Sequence, residues 1–325
     1  MANKSASANQ TLIAVELHGA RAATHERTSL NRGYAIFLLP GVILFLLVII
    51  LPFLVNVGVS FTRWQGVGTP RWIGLANYQQ AFTDTTFWAS FRNNLILIIA
   101  ITVVPTIVGL LLSSLLFDYV ARRFGKSVSN FFRAGFYLPQ ILPVAIAGVV
   151  WGWLLKPDGA VNWVLNSVGL NALAHNWLGD ATTALPTVMV IMVWFQIGYP
   201  LVIFMAALQR IDPELLEAAA IDGASGFQGF IHITLPLIRP EIAVVILTTT
   251  IYALKIFGQI FVLTRGGPGT ATMVPAYFAY QNFFEKFNVG YGAAISTVMA
   301  FIILLLTAAF IFAQSRQEVG SEAWT

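Results

Sequence analysis

The sequence predicts an all-α, polytopic membrane protein with six transmembrane helices. Three observations carry this. First, 57% of the 325 residues are hydrophobic and only 10% are charged, whereas soluble domains carry about 25% charged residues. Second, six apolar runs each reach the roughly 20 residues a helix needs to cross hydrocarbon. Third, the basic residues are distributed unequally between alternate loops, as membrane insertion demands.

The runs fall near 34–59, 93–117, 133–155, 184–208, 240–263 and 290–313. The first is too long for the 7–15-residue core of a secretory signal, so it is expected to remain as a membrane helix. The third carries Pro139, Gln140 and Pro143 near one end; proline is tolerated in a span when neighbouring groups satisfy the freed backbone. Flanking the six-helix domain (34–313), residues 1–33 and 314–325 read as polar tails.

Six spans place both termini on one side. Putting the termini and the 118–132 and 209–239 loops together gathers Lys4, Arg21, Arg27, Arg32, Arg122, Arg123, Lys126, Arg133, Arg210, Arg239 and Arg316. The opposite side holds Arg63, Arg71, Arg92, Lys156, Arg265 and Lys286. Positive charge accumulates on the cytoplasmic side, so the termini are expected there. The outer loops contain the turn signals Gly66-Val67-Gly68-Thr69-Pro70, Lys156-Pro157-Asp158-Gly159 and Gly266-Gly267-Pro268-Gly269. Aromatic residues crowd 275–291, a composition suited to the membrane–water boundary.

Several chemistries are disfavoured. The net charge of +4 is small and scattered, so nucleic acid is not an expected partner. There is no cysteine. His18, His25, His175 and His232 lack metal-ligand spacing, and no Ser/His/Asp set falls in the spans. No catalytic residue, metal or cofactor is expected in this chain. Gly125-Lys126-Ser127 ends like a phosphate-binding loop, but Val120 stands where that motif requires Gly. An ion-coupled secondary transporter would call for a carboxylate within the spans, and none is central there.

The informative segment lies between the fourth and fifth runs. Asp212 can cap a helix and Pro213 suits its first position. Glu214 and Glu217 complement the helix dipole. Leu215, Leu216, Ala219 and Ala220 form an apolar stripe. Gly223 can end the helix, and Ser225 can cap a second one bearing Phe227, Phe230 and Ile231. Helices that lie on lipid are usually rich in Lys and Arg, yet residues 211–231 contain neither and include Asp212, Glu214, Glu217 and Asp222. A protein partner explains such a segment better than a lipid surface.

Within it, Glu217-Ala218-Ala219, Gly223 ten residues before Ile233, then Leu235-Pro236 resemble the EAA signature of the membrane subunits of binding-protein-dependent ABC importers. The likeness extends to Ile73-Gly74-Leu75-Ala76-Asn77-Tyr78, Trp151-Gly152-Trp153, Asp222-Gly223-Ala224-Ser225 and Leu263-Thr264-Arg265-Gly266-Gly267-Pro268. These are similar to the sugar-importer branch, with MalF, LacF and UgpA types. The resemblance implies a MalF-like type I ABC importer permease fold in which residues 212–231 form coupling helices. It implies ATPase-coupling roles for Glu217, Ala218, Ala219, Asp222, Gly223, Ala224, Ile233, Leu235 and Pro236. The partners it implies are a MalG-like permease, two ATP-binding subunits that hold ATP and Mg, an extracytoplasmic sugar-binding protein and the lipid bilayer. A di- or oligosaccharide is the solute it favours, with glycerol phosphate or another polyol as the alternative. Gly258 stands where many relatives have an acidic residue.

Two sets of polar and aromatic residues are candidates for a solute path. Tyr252, Lys255 and Gln259 share one helical face in the fifth run. A central Lys costs roughly 2.5–3.5 kcal/mol on insertion scales, so that face belongs to a bundle interior or an aqueous route. Trp194, Gln196 and Tyr199 in the fourth run could stack on and hydrogen-bond a sugar. For both sets the reading to set against this is hydrogen bonding and packing between helices, the commoner use of such residues within spans.

Overall fold

A computed structural model of the chain describes residues 36–322, with side chains described through Gln314. The expected tail at 1–33 lies outside the described residues. The chain divides into two units, one ending at Gly58 and the other beginning at Val59. In the first, helix α1 (Ile36–Ser60) begins; none of its most apolar stretch is buried, and it contains no charged residue.

In the second unit, the chain first makes a two-stranded antiparallel ribbon, β1 (Thr62–Arg63) and β2 (Arg71–Trp72), that pairs Thr62 with Trp72 and Arg63 with Arg71. The turn signal at 66–70 lies between the strands, with Gly66 and Gly68 both at positive φ. Helix α2 (Ala76–Thr83) follows. Its Asn77 Nδ2 donates to the Ser60 and Thr62 carbonyls at 2.8 and 2.9 Å, securing the ribbon.

Helix α3 (Thr85–Phe124) is 40 residues long. At 1.5 Å per residue it extends about 60 Å, well beyond a hydrocarbon core of about 30 Å. Asp84 starts it by accepting from Thr86 N and Phe87 N. Its end is set by Gly125, at φ +91°, with Arg122 and Arg123 in the last turn, where the dipole favours cations. The loop expected at 118–132 is therefore a break at Gly125, because residues 118–124 contain neither Gly nor Pro and the helix continues through them.

Helix α4 (Lys126–Ile141) and helix α5 (Val144–Leu154) meet at a bend of 95°. A residue before proline is pushed to extended backbone, and Leu142, before Pro143, has φ −66° and ψ 132°. The third span is thus a broken pair. Helix α6 (Ala160–Ser167) lies in the next loop. Helix α7 (Ala184–Leu208) is the most buried of the long helices. It packs tightly on its neighbours: a Cβ on Gly109 of α3 would lie 2.7 Å from Pro200, and one on Gly198 would lie 2.6 Å from the Phe136 carbonyl of α4.

Beyond α7 come α8 (Pro213–Ile221) and α9 (Gly226–Leu237), then α10 (Arg239–Leu254), bent 68° from α9. Pro240 lacks the N–H that would continue α9 and its ring crowds the carbonyl four residues back. The fifth run was expected as one helix over 240–263. It is instead α10, a break, and the short helix α11 (Gly258–Leu263). Helix α12 (Pro275–Tyr280) precedes α13 (Val289–Glu322), which continues past the expected span end at 313.

The main core gathers Leu97, Ala100 and Ile101 of α3, Val188, Ile191 and Met192 of α7, Ala253 of α10, Ile260 of α11, Tyr277 of α12 and Tyr291 and Ile295 of α13. Buried amides bridge its backbone gaps. Asn93 Nδ2 donates to the Thr270 and Met273 carbonyls at 2.9 and 3.0 Å, and Asn94 Nδ2 to the Ala253 carbonyl at 2.8 Å. Of the GxxxG spacing in α5, Gly148 abuts Val262 of α11 closely, whereas Gly152 faces open space.

Candidate functional site: the 209–239 loop

The order of this loop is local and side-chain driven. Asp212 caps α8 by accepting from Glu214 N at 3.0 Å, with Pro213 at the first position. At the other end, Gly223 N donates to the Ala220 carbonyl and Ala224 N to the Ala219 carbonyl, the paired bonds of a Schellman motif. That motif needs a left-handed residue, and Gly223 has φ +84°. Ser225 then opens α9 with a reciprocal capping box: Ser225 N donates to Gln228 Oε1, and Gln228 N to Ser225 Oγ. The two helices are thereby joined through Asp222, Gly223, Ala224 and Ser225, with the stop and the next start both fixed by local hydrogen bonds.

Together with the far end of α3, these helices enclose a groove of about 570 Å³. One wall is Leu111, Leu115, Asp118, Tyr119 and Arg122; the other is Leu216, Ala219, Ala220, Ala224, Phe227, Phe230 and Thr234. The signature residues divide between two environments. Ala219 and Ala224 line the groove, while Glu217, Ala218, Asp222 and Gly223 are exposed. Ile233, Leu235 and Pro236 are half-buried at the return toward α10. Around the exposed set stand large apolar side chains open to solvent: Leu215, Ile221 and Phe227, with Ile221 87% exposed. An exposed apolar cluster beside carboxylates is the composition of a surface that is covered in an assembly.

Two components were not evident in sequence. Asp118, Tyr119 and Arg122 enter only because α3 continues past the expected span end at 117 as far as Phe124, and only the absence of a helix breaker at 118–124 signalled this. An ion pair between Arg210 and Glu241 ties the end of α7 to the first turn of α10. It is the one salt bridge among the described residues. Its partners are 31 residues apart, beyond any local periodicity.

The path candidates separate. Trp194 meets Trp151 edge-on at 5.4 Å and borders an apolar cleft of about 320 Å³ with Phe131, Phe132, Phe136, Pro139 and Ile197. Gln196 is buried. Tyr199 instead reaches α10, with its Oη 3.1 Å from Thr248 Oγ1. Tyr252 and Lys255 are exposed, and Gln259, buried, donates through Nε2 to Tyr252 Oη at 2.6 Å. The continuous face expected for Tyr252, Lys255 and Gln259 is interrupted, since α10 ends at Leu254 and Phe257 leaves helical backbone. The Tyr252–Gln259 bond spans that break.

Comparison with known proteins places these features in context. Residues 119–318 match the family described as binding-protein-dependent transport system inner membrane component. The chain is 34% identical over 234 residues, 72% of its length and 79% of the relative's, to the probable ABC transporter permease protein YurN of Bacillus subtilis. It is 33% identical over 238 residues, 73% of its length and 78% of the relative's, to the trehalose/maltose transport system permease protein MalF of Thermococcus litoralis. Its fold is similar, at a TM-score of 0.74 and 23% identity, to a chain of a bacterial ABC transporter involved in the import of the acidic polysaccharide alginate; the match covers 89% of this chain and 98% of that one.

Proposed function

The chain belongs to the family of inner membrane components of binding-protein-dependent transport systems, and from that premise we propose that it imports a carbohydrate by alternating access, driven by ATP hydrolysed on another polypeptide. It is an ABC transporter permease. The coupling element in this reading is the 209–239 loop. Leu215, Ile221 and Phe227, left open to solvent beside Glu217 and Asp222, are the observation that carries it. Burying two or three such side chains would contribute on the order of 1.5–3 kcal/mol each, enough to hold a partner that must stay docked through a power stroke.

The assembly we infer contains a MalG-like permease, two ATP-binding subunits that hold ATP and Mg, and an extracytoplasmic binding protein that delivers the solute. The loop and both termini then face the cytoplasm, in agreement with the Lys/Arg bias. In this cycle, closure of the ATPase subunits moves α8 and the start of α9, the spans rock and the path opens outward; hydrolysis returns it inward. The sugar relative supports a di- or oligosaccharide, and a glycerol-phosphate-type solute of the same family is the competing specificity.

Reconstitution tests the reading. The permease, co-expressed with its ATPase and purified, is placed in proteoliposomes with the binding protein and a labelled disaccharide panel. Uptake that requires ATP and the binding protein is expected. ATP-independent uptake driven by an ion gradient would overturn it.

A further inference from the structure

The stripe formed by Tyr199, Thr248, Tyr252 and Lys255 carries an inference about the solute itself, and it rests on the importer reading. Thr248 and Tyr252, at i and i+4, share one side of α10, and Lys255, the residue that caps its C-terminus, follows at i+7. Thr248 and Lys255 are exposed, Tyr252 is 37% exposed, and Tyr199 joins them through its contact with Thr248. This side is polar at a depth where polarity needs a reason. The 16 residues of α10 extend about 24 Å, and Lys255 stands at their far end. The fifth apolar run continues through Leu263 before Arg265, so Lys255 falls inside that run rather than at its edge.

An ammonium facing acyl chains is strongly disfavoured, and intramembrane cations accordingly face interiors or water-filled routes. The C-terminal end of α10 offers partial negative charge, which helps retain the amine without neutralising it. No carboxylate meets it: the one salt bridge among the described residues is Arg210–Glu241, at the opposite end of α10. Tyr252 is held in place by the bond from buried Gln259, so its hydroxyl is fixed by the protein.

We propose that this stripe is an aqueous wall of the permeation route, and that Lys255 selects carbohydrates bearing an anionic group. The hydroxyls of Tyr199, Thr248 and Tyr252 pair with sugar hydroxyls. The ammonium of Lys255 pairs with a carboxylate, sulfonate or phosphate on the same solute. No covalent step is involved; the selection is the difference in path energy between a charged and a neutral sugar.

The absence of cysteine in the chain permits a direct test. Thr248→Cys is introduced, and modification of this chain in the assembled transporter is followed by mass with an anionic sulfonate-bearing and a cationic trimethylammonium-bearing methanethiosulfonate. The anionic reagent is expected to be favoured by about three- to tenfold over its ratio at a free thiol, as for a charge roughly 10 Å away. Adding Lys255→Gln should return the ratio to the free-thiol value, and Lys255→Arg should preserve the preference. In uptake, Lys255→Gln should raise KM for an acidic disaccharide such as digalacturonate about tenfold or more, with KM for maltose unmoved. A ratio insensitive to Lys255, a thiol reached by neither water-soluble reagent, or wild-type preference for neutral over acidic sugars overturns the proposal. Each leaves the importer reading standing, which fails separately if no solute enters in an ATP-dependent manner.

Discussion

At the scale of single residues, the loop separates conformational from chemical requirements. Gly223 is needed for its backbone: nothing lies within 4 Å of a Cβ placed on it, yet its φ is +84°. Gly223→Val therefore meets no clash but forces a β-branched residue into the left-handed region, at about 1–2 kcal/mol. The Schellman bonds to Ala219 and Ala220 should loosen, and the ATPase subunit should co-purify several-fold less well while the permease still inserts. Undiminished co-purification would remove the geometric role. Glu217 is the opposite case, exposed and without a structural bond to lose. Glu217→Lys should leave the melting temperature of the detergent-purified permease unchanged and reduce ATPase co-purification; wild-type recovery of the ATPase would argue against docking through this side chain.

At the scale of elements, helix breaks and close approaches set the architecture. Gly109 lets α3 approach α7 so closely that an added Cβ would lie 2.7 Å from Pro200 and 3.0 Å from Leu201 N. Gly109→Val should destabilise by about 1–3 kcal/mol through overpacking, read as a lower melting temperature in detergent. An unchanged transition would mean that the two helices separate readily. Much at this scale was legible in the sequence, for identifiable reasons. Asp212, Pro213, Gly223 and Ser225 act within their own turns, so their caps and stops were readable. Hydrophobic length located the long helices α1, α3, α7 and α13, because it depends on composition alone. The 95° bend was only half legible: Pro139 and Pro143 were visible, but a proline can be absorbed by a helix, as Pro139 is, or break it, as Pro143 does. The break after Leu254 has no Pro at all and lies where α10 and α11 pack on different neighbours, which no local pattern records.

At the scale of the molecule, the second unit joins a core of buried apolar groups to a loop whose surface is left uncovered. The groove wall from α3 and the contact between Tyr199 and Thr248 are long-range juxtapositions, and therefore lay outside what periodicity could reveal. So was the pairing of Arg210 with Glu241, which suggests a test of coupling. Arg210→Glu should leave ATPase docking intact while lowering the number of solutes moved per ATP by severalfold. The exchange Arg210→Glu with Glu241→Arg should recover part of that ratio. Equal stoichiometry in all three proteins would reduce the pair to a partly exposed surface contact of small worth. Mechanically, the pair turns the intervening segment into a hasp shut at its base. A tug on a segment open at its base would draw out one strand at a time. With the base clasped, the pull of the proposed cycle would reach α7 and α10 together and be delivered as torque, the kind of input that a tilting gate requires.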